Sequence, residues 1–166
     1  GAAVLCAEEG PEERGVLYTY IRSRGWGARL LERTAGGSRF PYKHGETDPT
    51  DFYLKMDGRK VYGFAVASLV ETIEHLLEYH DLSIDQIKYI IPHQANLRII
   101  EAAAKRKKIP LDKFYINIQE FANTSAATIP IALAELQGKH MLQEGDLLLA
   151  IGFGAGLTYG GNLIRW

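Results

Sequence analysis

His93 stands in Pro92-His93-Gln94-Ala95-Asn96, directly after the apolar run Ile87-Lys88-Tyr89-Ile90-Ile91. Asn123 opens Asn123-Thr124-Ser125-Ala126-Ala127, after a second apolar run, Phe114 to Ile118, and a short connector. An imidazole and a carboxamide that converge at strand ends can both donate hydrogen bonds to one oxygen as it turns negative. Each well-placed donor is worth about 3–4 kcal/mol to such a charge. A plainer reading stands beside this one. A histidine after a strand can be a structural hydrogen-bonder, and Asn-Thr-Ser can cap the helix that follows. Asn123-Thr124-Ser125 also matches a glycosylation sequon, which has no use in the cytosol.

Gly152-Phe153-Gly154-Ala155-Gly156 completes the set. Its glycines suggest a phosphate loop, but the spacing is Gly-x-Gly-x-Gly and a strand-like segment follows rather than a helix. A tight turn that permits close backbone approach fits better.

The flanking pattern supplies elements that could position these residues. Ala2 to Ala7 reads as a strand ended by a turn at Glu8-Glu9-Gly10-Pro11, and Val16 to Ile21 as a second strand. Residues 25–50 have no clear period and read as an irregular excursion. Beyond Asp57, a plausible N-cap, apolar residues recur every three or four positions (Val61, Phe64, Ala65, Leu69, Ile73, Leu76, Leu77), which predicts a helix ending near His80. Ser83 caps a further turn before the strand that ends at Ile91. A second helix is expected from Gln94 to Lys107, with Leu97, Ile100 and Ala104 inward and Pro110 beyond its end. A strand over Phe114–Ile118 precedes a third helix from Ser125, where Pro130 falls early enough to be tolerated. Glu144-Gly145-Asp146 makes a tight turn, and Leu147–Phe153 with Thr158–Arg165 form a hairpin-like finish. Alternating strands and helices predict an α/β fold with a covered sheet.

Composition narrows the class. The 166 residues, 46% hydrophobic and 23% charged, suit one globular unit with a real core. A net charge of −1 argues against a dedicated nucleic-acid binder. No apolar run approaches the ~20 residues of a membrane span, and no basic-then-apolar leader opens the sequence. The single cysteine, Cys6, excludes an internal disulfide and fits a reducing compartment. It lies in the apolar run at the start, where it reads as a small buried hydrophobe. Although the order Cys6, His93, Asn123 resembles that of papain-type proteases, nothing beside Cys6 in sequence would lower its pKa.

The three segments, with the order and separation of His93 and Asn123, resemble the C-terminal half of β-ketoacyl-ACP synthase III, a thiolase-like condensing enzyme. That resemblance implies a thiolase-like α/β fold, a mixed β-sheet covered by helices. Residues 1–166 would be a C-terminal half-domain, with the N-terminal half and its nucleophilic cysteine absent. It implies that the cysteine holds an acyl group as a thioester, that malonyl-ACP loses carbon dioxide, and that the enolate attacks the thioester. His93 and Asn123 match the enolate-stabilising pair. The Phe153 ring would shield the malonyl carboxylate, and the Ala155 N–H would join that of the cysteine in a second oxyanion hole.

The same resemblance places Asn96, Gly58, Arg59 and Tyr62 near the pantetheine arm of CoA. Arg59 departs from the smaller polar residue expected there. Arg98 matches a position that meets the acidic carrier protein, whereas Lys105 to Lys108 read as a solvated helix end. No metal or bound cofactor is implied; the substrates would be acyl-CoA and malonyl-ACP. The expected partners are the acyl carrier protein, the N-terminal half and a second copy in a homodimer, in the cytoplasm. The alternatives are an HMG-CoA synthase-like, a quinolone-forming or a head-to-head long-chain condensing enzyme, and a non-catalytic carrier-binding fragment. Degradative thiolases need a second cysteine near the glycine loop, and none is present.

Overall fold

The computed structural model describes residues 1–7 and 14–166. Its longest element is set by one carboxylate. Asp57 Oδ1 accepts the Lys60 N–H at 3.1 Å, so α1 (Gly58–Tyr79) starts where an Asp N-cap predicts. Its apolar stripe, Phe64, Ala65, Leu69, Ile73 and Leu76, is buried. Asp81 adopts φ 50° just past the helix, and the Leu82 amide bonds back to Leu77 O at 2.9 Å, which turns the chain toward the sheet. Ser83 and Gln86 then form a capping box around a single 3-10 turn before β4 (Ile87–Pro92).

The four-stranded sheet runs β1 (Gly15–Ser23), β6 (Thr158–Arg165), β5 (Leu147–Gly154), β4. β1 and β5 are antiparallel to β6, while β4 and β5 are parallel. The β4-to-β5 crossover contains α2 (Leu97–Lys107), the single turn α3 (Ile118–Phe121) and α4 (Thr128–Gly138). Alternation along β5 sends successive side chains to opposite faces. Leu149 and Ile151 pack with Leu69, Ile73 and Ile100 of α1 and α2, whereas Leu148 packs with Ala132 and Leu136 of α4. Burying each of these large side chains contributes about 1.5–3 kcal/mol. The sheet is thus mixed and covered by helices, as predicted. On the α4 side, a shallow groove lined by Thr19, Ile21, Ala150, Gly152, Asn162 and Ile129 lies along β1, β6 and β5.

Gly161 in β6 allows α1 to sit close. A Cβ there would come within 2.9 Å of Thr72 Cγ2 and of the Ala150 carbonyl oxygen. Next to it, Glu71 of α1 accepts from Tyr159 (2.6 Å), Tyr20 (3.2 Å) and Arg24 (2.5 Å), which ties β1 and β6 to the helix.

Several expectations need correction. Ala2–Ala7 forms no strand, because among the described residues no strand pairs with it; β-propensity without a ladder partner is not realised. Cys6 is accordingly exposed rather than buried. The turn expected at Glu8–Pro11 lies outside the described residues. The stretch 25–50, expected to be irregular, opens instead with a 3-10 helix (Gly25–Leu30) and β2 (Leu31–Arg33), which pairs antiparallel with β3 (Leu54–Met56); irregular chain follows only over 34–48. Phe114–Ile118 is not a strand. It makes one parallel bridge, Phe114 to Ile90, and then leaves the sheet because the next free amide, Asn117 N–H, bonds the Gln94 side chain.

The helix predicted from Gln94 begins three residues later, at Leu97, and Leu97 itself is exposed. Asn96 is the extended N-cap, its Oδ1 accepting from the Arg98 amide at 3.0 Å. Pro130 falls in the first turn of α4, where a missing N–H costs nothing.

Candidate active site

His93 is held from both sides. Its amide donates to Ile151 O at 2.7 Å, extending the β4–β5 ladder by one residue and fixing the side chain at the strand end. Its Nδ1 lies 2.7 Å from Thr128 Oγ1 in the first turn of α4. The ring stands edge-on to Phe153, with centroids 5.3 Å apart and planes at 66°. Burial pushes the imidazole below its ordinary value, so it is neutral at physiological pH. With Nδ1 engaged, Nε2 is the ring nitrogen left to act on a ligand.

Asn123 sits on an exposed loop whose backbone is unusual: Ala122 and Ser125 have φ of 55° and 54°. Its Oδ1 accepts the Ser125 amide at 3.1 Å, an Asx turn. The helix-capping expectation is therefore met only in part, since α4 starts at Thr128 with no side-chain cap. Asn123 instead shapes the 3-10 turn Ser125–Ala127 ahead of α4. Its Nδ2 makes no hydrogen bond among the described residues, so the amide keeps its donors. The Thr128 hydroxyl is also 3.0 Å from Ser125 O. His93, Thr128, Ser125 and Asn123 thus form one continuous polar path.

Phe153 is the last residue but one of β5, and Ala155 lies exposed in the turn between β5 and β6. The glycine-rich segment is a β-turn connection, with Gly156 at φ 132°, and not a loop feeding a helix.

Two residues that position this site were missed from sequence. Thr128 carries no motif and is legible only once α4 docks beside β4. Gln94 is 1% exposed, and its side chain donates to Pro92 O (2.9 Å) and Tyr115 O (3.1 Å) while accepting from Asn117 N (3.3 Å). Its place beside His93 in Pro92-His93-Gln94-Ala95-Asn96 is its trace in the sequence.

A second cluster forms where α1 and α2 begin. The Tyr62 hydroxyl donates to Arg98 O at 3.2 Å, and the Arg98 side chain is exposed. Gly58 and Arg59 are exposed in the first turn of α1. Asn96 has its oxygen committed to capping α2, which leaves only its N–H groups for a ligand. Lys107, expected to be solvated, pairs with Glu74 at 2.7 Å. Among the described residues no three His, Cys, Asp or Glu side chains gather as a metal-binding set, and no helix is long and apolar enough to cross a membrane.

The profile of the family described as 3-oxoacyl-[acyl-carrier-protein (ACP)] synthase III, C terminal, matches residues 77–166, more than half of the chain. The chain belongs to this synthase III family. The beta-ketoacyl-[acyl-carrier-protein] synthase III of Clostridium novyi is 45% identical over 168 residues, covering 100% of this chain and 50% of that protein. Among solved structures, synthase III from Aquifex aeolicus superposes with a TM-score of 0.79 at 34% identity, covering 95% of this chain and 46% of the other. That from Thermus thermophilus gives 0.82 at 34% identity, covering 95% and 48%. The fold is that of the synthase III C-terminal half, and the chain spans about half the length of the curated relatives it matches. The matched segment contains His93, Asn123 and Phe153; Gly58, Arg59 and Tyr62 lie ahead of it.

Proposed function

We propose that these residues form part of a β-ketoacyl-ACP synthase III, which condenses an acyl-CoA primer with malonyl-ACP at the start of fatty acid synthesis. Decarboxylation moves an electron pair onto the malonyl thioester, and its oxygen becomes an enolate. His93 Nε2 and Asn123 Nδ2 would donate to that oxygen. One observation above the others supports this: a neutral imidazole with one free nitrogen is linked through Thr128 and Ser125 to an amide with uncommitted donors. A charged histidine would instead hold the malonyl carboxylate and oppose its loss.

The Phe153 ring, edge-on to His93, would border the carboxylate and favour its departure as carbon dioxide. Ala155 N–H would serve the tetrahedral intermediate of acyl transfer. The acyl-bearing cysteine would come from chain beyond these 166 residues, since exposed Cys6 has no base beside it in sequence. Tyr62, Asn96, Gly58 and Arg59 would border the pantetheine arm, and Arg98 would meet the carrier protein. A homodimeric, cytoplasmic assembly completes the proposal.

Condensation of radiolabelled malonyl-ACP with a short acyl-CoA by the complete protein tests it. A β-ketoacyl-ACP product that disappears in His93→Ala is expected. Carrier binding without condensation would favour a non-catalytic module, and turnover of two long acyl chains would favour a head-to-head condensing enzyme.

A further inference from the structure

Thr128 is 2% exposed, and its hydroxyl has one proton and two acceptors within reach: His93 Nδ1 at 2.7 Å and Ser125 O at 3.0 Å. The direction it takes decides the state of the histidine. If the proton goes to Ser125, His93 must carry its own proton on Nδ1, and Nε2 faces the site as a bare lone pair. If it goes to Nδ1, the ring proton sits on Nε2, which then faces the site as a donor.

Two observations favour the second arrangement, and a third fixes the backbone geometry in which they are read. Ser125 O already accepts the Thr128 backbone N–H, so it is satisfied without the hydroxyl. A 2.7 Å separation matches hydroxyl donation better than the 2.9–3.0 Å typical of an N–H donor. Position is also fixed: the 3-10 turn holds the Thr128 backbone, and the His93 amide is pinned to Ile151 O at 2.7 Å.

We propose that Thr128 is a positioning residue whose hydroxyl donates to His93 Nδ1 and so holds the imidazole as the Nε2–H tautomer. This rests on the synthase reading for its purpose, because an enolate oxygen needs a donor on Nε2. The tautomer itself is a property of the resting protein and is measured without turnover.

The test is 15N-detected NMR of the complete protein labelled at histidine, with His93 assigned from the spectrum of His93→Ala. The wild type should show a protonated Nε2 and an acceptor Nδ1. Thr128→Val keeps the shape and removes the hydroxyl; its His93 signals should move toward the Nδ1–H form or a mixture. Thr128→Ser should restore the wild-type pattern. Decarboxylation of malonyl-ACP should fall by about 10-fold or more in Thr128→Val, part of what one oxyanion donor supplies, and recover in Thr128→Ser. A wild-type ring protonated on Nδ1, or one unchanged by Thr128→Val, overturns the proposal. The wild-type spectrum alone decides the first point even if Thr128→Val does not fold. A correct tautomer in a protein that condenses nothing would overturn the synthase reading and leave this one standing.

Discussion

Gln94 Nε2 donates to the carbonyl of Tyr115 at 3.1 Å, joining the end of β4 to the segment that leads on to Asn123. The same amide bonds Pro92 O, and its oxygen accepts from Asn117 N. Three buried backbone groups on two separate segments are therefore satisfied by one side chain. The strand end that presents His93 cannot shift without leaving some of them unpaired.

Gln94→Leu should for that reason destabilise the protein by at least about 1–3 kcal/mol, the penalty for stranding a buried polar group. Urea unfolding of the complete protein would measure it. A change under about 0.5 kcal/mol would mean that water replaces the amide without loss.

Removal of either proposed enolate donor should separate the two half-reactions. His93→Ala and Asn123→Ala are each expected to lower malonyl-ACP decarboxylation by about 10²–10³-fold. Acyl transfer from acyl-CoA to the enzyme should survive, since Ala155 and the cysteine backbone would hold that oxyanion. Parallel loss of both activities would refute this division of roles.

Arg98 should govern carrier encounter. Its side chain is exposed and free of structural bonds among the described residues, and its backbone alone joins Asn96 and Tyr62. Arg98→Glu should raise the Michaelis constant for malonyl-ACP and flatten its dependence on ionic strength, as expected for a screened surface charge. Acyl-CoA should be affected less. Steady-state kinetics at two salt concentrations check this, and equal losses for both substrates would assign Arg98 a packing role.

The pH dependence follows from the direction of the His93 shift. Burial holds its folded value below 6.5, the ordinary value that unfolding restores. As pH falls through 6.5, the unfolded chain takes up a proton that the folded chain refuses. His93 therefore subtracts stability progressively below about pH 6.5, down to its folded value, and has no such effect above it. NMR titration should place its midpoint under 6.5. His93→Gln should lose less stability than the wild type between pH 7 and 5; an unchanged difference would mean that the ring titrates normally.

Much of this molecule was readable from one dimension. The 3.6-residue period of α1, its Asp57 cap, the Ser83 turn and the β5–β6 hairpin are local features, each fixed by side chains within a few residues of one another. His93, Asn123 and Phe153 stood out as candidates because each lies in a distinctive segment at a strand or loop end. Other features needed the third dimension. Ala2–Ala7 has the composition of a strand, yet a strand exists only where a neighbour supplies its hydrogen bonds. Phe114–Ile118 leaves the sheet after one bridge because Gln94 offers its amide a better-placed acceptor. Thr128 acquires meaning only when α4 packs against β4 and sets its hydroxyl 2.7 Å from an imidazole 35 residues earlier. Sequence pattern records which face of an element is apolar; which polar atoms meet across two elements is decided by packing.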